Sequence, residues 1–280
     1  MRKLLVFIFM LMLFSNTASA KSLKFVQVTD NHLSINSSDY GGREILKSTQ
    51  ILENTVNSIN QLKDIDFVIF SGDNIDVANE ENLRKFCEIT QNLNKPYYIG
   101  IGNHDVFKTN GLSKEKYFNI VKEYNKNQNN KKPYYYFCPD NNFIVIVMDG
   151  VHEIIPSKHG TYTEENLDWL DKVLKKYKNK TAVIVQHFPI VEPSENKSHR
   201  TLDPEGYFNL LDHHNNVATI VSGHYHTANV IQKNGIYHIS SPALAEKPHQ
   251  YRIIEINNDN RSAIRIDTEL IPVEVPEDNN

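Results

Sequence analysis

Cysteine is nearly absent: Cys87 and Cys138 are the two thiols in 280 residues. Two thiols supply neither a disulfide framework nor the ligands of a thiolate zinc site. They are expected as buried free thiols rather than a bond, Cys87 in a helix and Cys138 at a strand end. An excess of positive charge is missing as well. From Lys21 onward, 28 basic residues face 34 acidic ones, and a nucleic-acid-coating surface needs a concentrated basic face. No composition break, Gly/Ser linker or internal repeat divides the chain. A single domain over 21–280 is therefore expected, long enough to bury a substantial core. Within it "NKNQNNKK" (125–132) reads as an exposed loop, and the final "PEDNN" as a frayed tail.

A long apolar run occurs once, at the start. "MRK" is a positive n-region, "LLVFIFMLMLF" an apolar stretch short for a bilayer span, and "ASA" a small-residue cleavage pattern ending at Ala20. The expectation is a cleavable signal peptide over 1–20 and an exported protein with no stable membrane span after cleavage. The alternative is an uncleaved N-terminal anchor. No cysteine follows the run, so lipid attachment there has no support.

What is present in quantity is a series of short apolar runs rich in Val, Ile and Phe. They are "LKFVQVT" (23–29), "DFVIFSG" (66–72), "PYYIGIG" (96–102), "FIVIVMDG" (143–150), "TAVIVQH" (181–187) and "VATIVSG" (217–223). Strands buried on both faces are apolar throughout rather than alternating. Helical periodicity lies between them, with apolar positions at Ile45, Leu52, Val56 and Ile59, and again at Leu167, Leu170, Leu174 and Tyr177. Thr161 or Thr163 is available to cap the second helix. After His226 the pattern becomes strands alone, with "KNG" (233–235) as a tight hairpin. Strand–helix alternation followed by a β-rich end predicts one layered α/β domain, with stacked sheets and helices outside.

The metal-capable residues fall at the ends of these strands. Strand one ends in "TDNH" (Asp30, His32), strand two in "SGDNID" (Asp73, Asp76), and strand three in "GNHD" (Asn103, His104, Asp105). A later strand ends in "QH" (His187), and the last of the series in "GHYH" (His224, His226). Taken singly, each has an ordinary reading as a turn, a surface histidine or a polar strand end. Loops at the carboxyl ends of α/β strands form the ligand crevice, so together they converge on a single site. Imidazole nitrogen with carboxylate oxygen suits divalent first-row metals such as manganese, iron or zinc.

In its order and spacing this set resembles the calcineurin-like metallophosphoesterase superfamily, whose pattern runs D-x-H, G-D, G-N-H-[DE], H, G-H-x-H. The resemblance spans Asp30 to His226. Size, "GDNID" and the "GTYTEENLDWL" segment before "VIVQH" look most like its class III cyclic-nucleotide phosphodiesterase-like branch. It implies a four-layer α/β/β/α sandwich. It implies Asp30, His32 and His226 on one metal, Asn103, His187 and His224 on a second, and Asp73 bridging both. Hydrolysis of a phosphate mono- or diester would follow by attack of a metal-bridging hydroxide. His104 would stabilise the phosphoryl oxygen or protonate the leaving group, and Asp76 would orient His104, while Asp105 would fix the loop. The substrate would be a phosphate-ester small molecule or an envelope phosphate. Purple acid phosphatases have tyrosine at the position of Asp76 and glycine at that of His32, so a purple iron site is not expected. The alternative function is a non-catalytic metal-binding or scaffold protein on the same fold, although no motif residue is missing here.

The remaining histidines, His152, His159, His199, His213, His214, His238 and His249, are expected in structural or solvated roles. One weak exception lies in the long 188–206 connection, where Lys197, His199 and Arg200 would contact a second phosphate or a base. "PYYYF" (133–137) is expected as strand core or pocket wall.

Overall fold

A computed structural model describes residues 21–130, 132–260 and 263–275. The expected signal peptide and acidic tail lie outside the described residues. Runs of β-branched and aromatic residues become strands, and β2, β5, β6 and β7 are buried on both faces because helices or a second sheet cover them. The first sheet has the order β11–β10–β1–β2–β3, with β1 Lys21–Val28, β2 Phe67–Ser71, β3 Tyr97–Gly100, β10 Gln250–Asn260 and β11 Ala263–Pro272. The second has the order β4–β5–β6–β7–β9–β8. Its strands are β4 Tyr135–Phe137, β5 Phe143–Val147, β6 Thr181–Val185, β7 Val217–Ser222, β8 Asn229–Lys233 and β9 Ile236–Ser240. Strands β1, β2 and β3 are parallel, as are β5, β6, β7 and β9; antiparallel β10 and β11 extend the first sheet on one side, β4 and β8 flank the second, and β3 is a parallel edge.

Side-chain alternation along each strand sorts the apolar residues into three cores. Val26, Val68 and Phe70 pack against the helices α1 Ser48–Gln61, α2 Glu80–Thr90 and α3 Lys114–Tyr124. Their neighbours Phe25, Phe67 and Ile69 meet Val145, Val183 and Val221 of the second sheet. Ile144, Ile184 and Ile220 pack outward against α4 Glu164–Lys176 and α5 Glu205–Leu211. The result is the expected four-layer α/β/β/α sandwich. Thr163 caps α4 in a reciprocal capping box with Asn166. The "KNG" hairpin joins β8 to β9 with Asn234 and Gly235 both at positive φ, as a right-twisted two-strand turn requires.

Two expectations are corrected. Cys87 is buried and free, but Cys138, although also free, is exposed because it follows the short edge strand β4. The 125–132 segment is not simply exposed: Asn125 and Gln128 are buried. Their amides bond the main chain of edge strand β3, Asn125 to the Tyr97 carbonyl at 2.9 Å and Gln128 to both groups of Ile99. Of the "PYYYF" aromatics Tyr135–Phe137 form β4, and all four wall a cavity of about 450 Å³ with Tyr98 and Trp169.

Candidate metal centre

All the strand ends that carry the polar motifs open on one edge of the sandwich. The chain reaches this edge in unusual backbone conformations. Asp30, His32, Asp73, His224 and His226 all have φ between 44° and 71°. Non-glycine residues avoid this left-handed region unless the surroundings hold them there. Main-chain bonds between the first two loops hold three of them: Asp30 N–H donates to the Gly72 carbonyl at 3.0 Å, and His32 N–H to that of Asp73 at 3.0 Å. Two glycines make room. A Cβ on Gly102 would lie 2.2 Å from Asp73 Oδ1, and one on Gly223 2.1 Å from Thr29 Oγ1.

The expected ligands fall into two groups. The ligand atoms of Asp30, His32 and His226 lie within 4.8 Å of one another, as do those of Asp73, His187 and His224. Three of the four imidazoles commit the outer nitrogen to an oxygen acceptor, and the fourth, His32, brings Nδ1 near a carboxylate without a hydrogen bond. His187 Nδ1 donates to the Ser71 carbonyl at 3.1 Å, and His224 Nε2 to that of Lys158 at 2.8 Å. His226 Nδ1 donates to Glu246 Oε1 at 2.5 Å, and His32 Nδ1 faces Asp76 Oδ1 at 3.3 Å. The inner nitrogens are left as lone-pair donors: His32 Nε2 and His226 Nε2 face each other at 3.4 Å, and His187 Nε2 is buried with no hydrogen-bond partner. Asn103 Oδ1 is likewise buried and unpartnered. Buried polar atoms of native proteins find partners, so converging orphaned donors of electron pairs fit cations.

The two groups meet at the carboxylates. Asp73 Oδ2 lies 3.3 Å from His187 Nε2 and 3.7 Å from His32 Nε2, one imidazole from each group. The other oxygen, Oδ1, accepts the His104 N–H at 2.9 Å. Asp30 Oδ2 is held by Thr29 Oγ1 at 2.8 Å and by His224 N–H at 3.0 Å, which leaves Oδ1 3.3 Å from His226 Nε2.

Burial opposes every charge here, and opposite charges answer it. Burial works against the Asp30 carboxylate, yet His226 holds its acid well below the ordinary range. His187 and His104 do the same for Asp73. Burial likewise disfavours imidazolium, but Asp73 lifts His187 to about 9 and Asp30 lifts His226 to about 10. Burial pushes His32 down to about 4 in spite of Asp76, and burial together with His187 pushes His224 down to about 3. Two buried carboxylates and four imidazoles thus form a donor set in which positive charge is strongly favoured.

His104 differs from this set. Its side chain is 28% exposed and borders a cavity of about 250 Å³ walled by Val77, Val106, Phe107 and Lys158. Its Nδ1 donates to the main-chain carbonyl of Asp76 at 2.8 Å, whereas the Asp76 carboxylate is 4.0 Å away. The side chain of Asp76 is turned to His32 and to the Tyr40 hydroxyl, which donates to Oδ1 at 2.6 Å. The expectation that the Asp76 carboxylate orients His104 is therefore corrected, because the main-chain carbonyl of the same residue occupies that place. Asp105 fixes the loop, accepting from the N–H groups of Asn74, Ile75 and Gly102 at 2.8, 3.1 and 2.7 Å.

Of the connection 188–206, His199 reaches the site, its ring 5.4 Å from that of His224. Lys197 and Arg200 are exposed on the same loop. His214 pairs with Asp171, and His249 with Glu44, away from the ligand groups. Three residues close to the centre carry no sequence signal: Glu246, Tyr40 and Arg43 come from irregular segments without periodicity or motif.

The construction is that of a metal-dependent hydrolase, with imidazole and carboxylate donors gathered at the strand ends of a layered α/β core. Residues 23–228 match the calcineurin-like phosphoesterase family, and the chain belongs to it as a metal-dependent phosphoric ester hydrolase. Curated relatives include the probable glycerophosphodiester phosphodiesterase GpdQ of Arcobacter nitrofigilis, 28% identical over 75% of this chain and 74% of that one. Another is the 3′,5′-cyclic adenosine monophosphate phosphodiesterase CpdA of Vibrio vulnificus, 24% identical over 82% and 79%. Among solved structures, a dimetal phosphatase of Danio rerio shares the fold with a TM-score of 0.65 at 16% identity, over 90% of this chain and 99% of that one.

Proposed function

We propose that this chain is an exported phosphodiesterase that works with two cations. The observation that carries the reading is the placement of Asp73 Oδ2 between an imidazole of each group, 3.3 Å from His187 and 3.7 Å from His32. Asp30, His32 and His226 would hold one cation and Asn103, His187 and His224 the other, with Asp73 shared between them. Bound there, two divalent ions would acidify a water and draw charge from the phosphoryl oxygens.

The chain's own residues do the rest. His104, with Nδ1–H fixed on the Asp76 carbonyl, keeps Nε2 as the atom that holds and delivers a proton to the leaving alkoxide. Asp73 Oδ1 fixes the His104 main chain, so the bridging carboxylate and the acid share one loop geometry. The cavity beside His104 takes the leaving alcohol, with Val77 and Phe107 for its apolar part and Lys158 for a polar or anionic part. Relatives named for glycerophosphodiesters and cyclic nucleotides support a diester in place of a monoester. Export is supported by the n-region, apolar stretch and small-residue pattern of residues 1–20.

The test is hydrolysis of bis-p-nitrophenyl phosphate against p-nitrophenyl phosphate by the protein purified after expression of the full-length sequence, with manganese added. The diester is expected to turn over with the higher kcat/KM. A monoester preference would reassign the substrate class.

A further inference from the structure

The residues that orient His32 and His226 themselves need orienting, and the segment between β1 and α1 is built to do it. Tyr40 donates its hydroxyl to Asp76 Oδ1 at 2.6 Å, and Arg43 Nη1 donates to the Tyr40 oxygen at 2.6 Å. The guanidinium lies 5.0 Å from the centre of the Tyr40 ring and 4.0 Å from Asp76 Oδ1. The Arg43 side chain is 18% exposed, and its Nε is buried without a hydrogen-bond partner. The same strap is stitched to the segment that carries Glu246. Arg43 pairs with Glu246 in an isolated antiparallel bridge, and Glu44 N–H donates to the Ala245 carbonyl at 2.8 Å. That segment is in turn fixed on β1, because Ala245 N–H donates to the Asp30 carbonyl at 3.2 Å.

Asp76 and Glu246 each face the outer nitrogen of one histidine of the same group, His32 at 3.3 Å and His226 at 2.5 Å. A carboxylate on Nδ1–H fixes the tautomer that leaves Nε2 free and raises its basicity. At Asp76 a hydroxyl and a cation are set against the carboxylate and hold its orientation.

We infer that Tyr40 and Arg43 are positioning residues that hold the Asp76 carboxylate against His32 for a cation at the Asp30–His32–His226 group. The inference rests on the reading that this group binds a cation. The strap touches neither His187 nor His224 through any hydrogen bond or ion pair found among the described residues, so its effect is selective for one of the two groups.

The experiment uses zinc ion alone as probe. Metal-stripped protein from the full-length sequence is titrated in competition with a chromophoric chelator, and ring-15N spectra of labelled histidines identify the site filled at each step. Tyr40→Phe and Arg43→Gln are each expected to weaken zinc at His32 and His226 by about 10-fold or more. Affinity at His187 and His224 is expected to stay within about twofold, and Arg43→Lys to recover part of the loss. Equal affinities in wild type and both variants would overturn the inference. A matched loss at both sites with a lower Tm of the metal-free protein would also overturn it, by showing that the strap serves the fold. Unchanged affinities with a raised KM would assign Arg43 to substrate instead. A wild-type protein that takes up no zinc would overturn the underlying reading and the inference with it.

Discussion

Asp76 carries two jobs on one residue. Its carboxylate faces His32 while its carbonyl receives His104, so the three-residue spacing from Asp73 to Asp76 serves both a ligand and the proposed acid. His104 is more exposed than any of the ligand histidines, as a proton-transfer group at a substrate mouth requires. His104→Ala is expected to lower kcat for a diester by about 10² to 10⁴. Because its ring holds no cation in this account, metal content measured by atomic emission is expected to stay at the wild-type level. At this scale the sequence showed which residues gather but not how they are turned. D-x-H, GNHD and GHxH carried the ligands to one edge. The swap of partner at Asp76 could not be read, because side chain and main chain of one residue compete for two histidines that are distant in sequence. Glu246 was hidden for a similar reason: it contacts His226 from an irregular segment that no periodicity marks.

Strand ends determine how tightly this centre can close. Gly102 and Gly223 follow β3 and β7, where the neighbouring loops pass so near that a methyl group would lie 2.2 Å from Asp73 Oδ1 or 2.1 Å from Thr29 Oγ1. Gly102→Ala is expected to cost about 1–3 kcal/mol by overpacking and to remove most metal uptake, since Asp73 must move. Equilibrium urea unfolding with a metal assay checks both. A matched control is Thr163→Ala, which deletes the side-chain half of the α4 capping box. It is expected to cost about 1 kcal/mol with kcat unchanged. A comparable loss of metal in the control would mean that the centre follows global stability rather than local fit. The elements themselves were largely legible. Apolar runs became doubly buried strands, and the Leu170–Leu174 spacing became α4. Less visible were α3 and α5, whose sequences mix tyrosine, phenylalanine and asparagine into short amphipathic stretches, and the inward-facing amides of Asn125 and Gln128. Those two residues are polar by composition, yet an edge strand with unpaired main-chain groups rewards their burial.

Across the whole molecule, three apolar layers hold two sheets and their helices together, and titratable groups inside them set the response to pH. His238 lies on β9 next to Ile236, facing the outer core of α4 and α5 by strand alternation. Burial, aided by Lys233, pushes it down to about 4 from an ordinary value of 6.5. Its neutral form is therefore favoured in the folded protein. Above pH 6.5 neither state is protonated there and the full stability is present. Between pH 6.5 and 4 the unfolded chain takes up a proton that the folded one does not, so stability falls with falling pH, by up to ~3 kcal/mol in all. His238→Gln is expected to flatten the pH dependence of urea stability over that window, and an unchanged slope would remove His238 as its source. The four-layer order was expected from strand–helix alternation followed by strands. The rim of the centre was not, because it is assembled from the 34–47, 158 and 243–246 segments, which come together only once both sheets are stacked.

In the proposed centre one carboxylate, Asp73, joins two cation sites into a single hydrolytic unit. The most direct measurement is the metal stoichiometry of wild type and Asp73→Asn, loaded with manganese and freed of excess, alongside turnover of bis-p-nitrophenyl phosphate by the same samples. Two ions per wild-type chain are expected, with weakened occupancy of both sites in the variant and a loss of turnover that tracks it. One ion per wild-type chain, or full turnover by Asp73→Asn, would contradict the proposed centre.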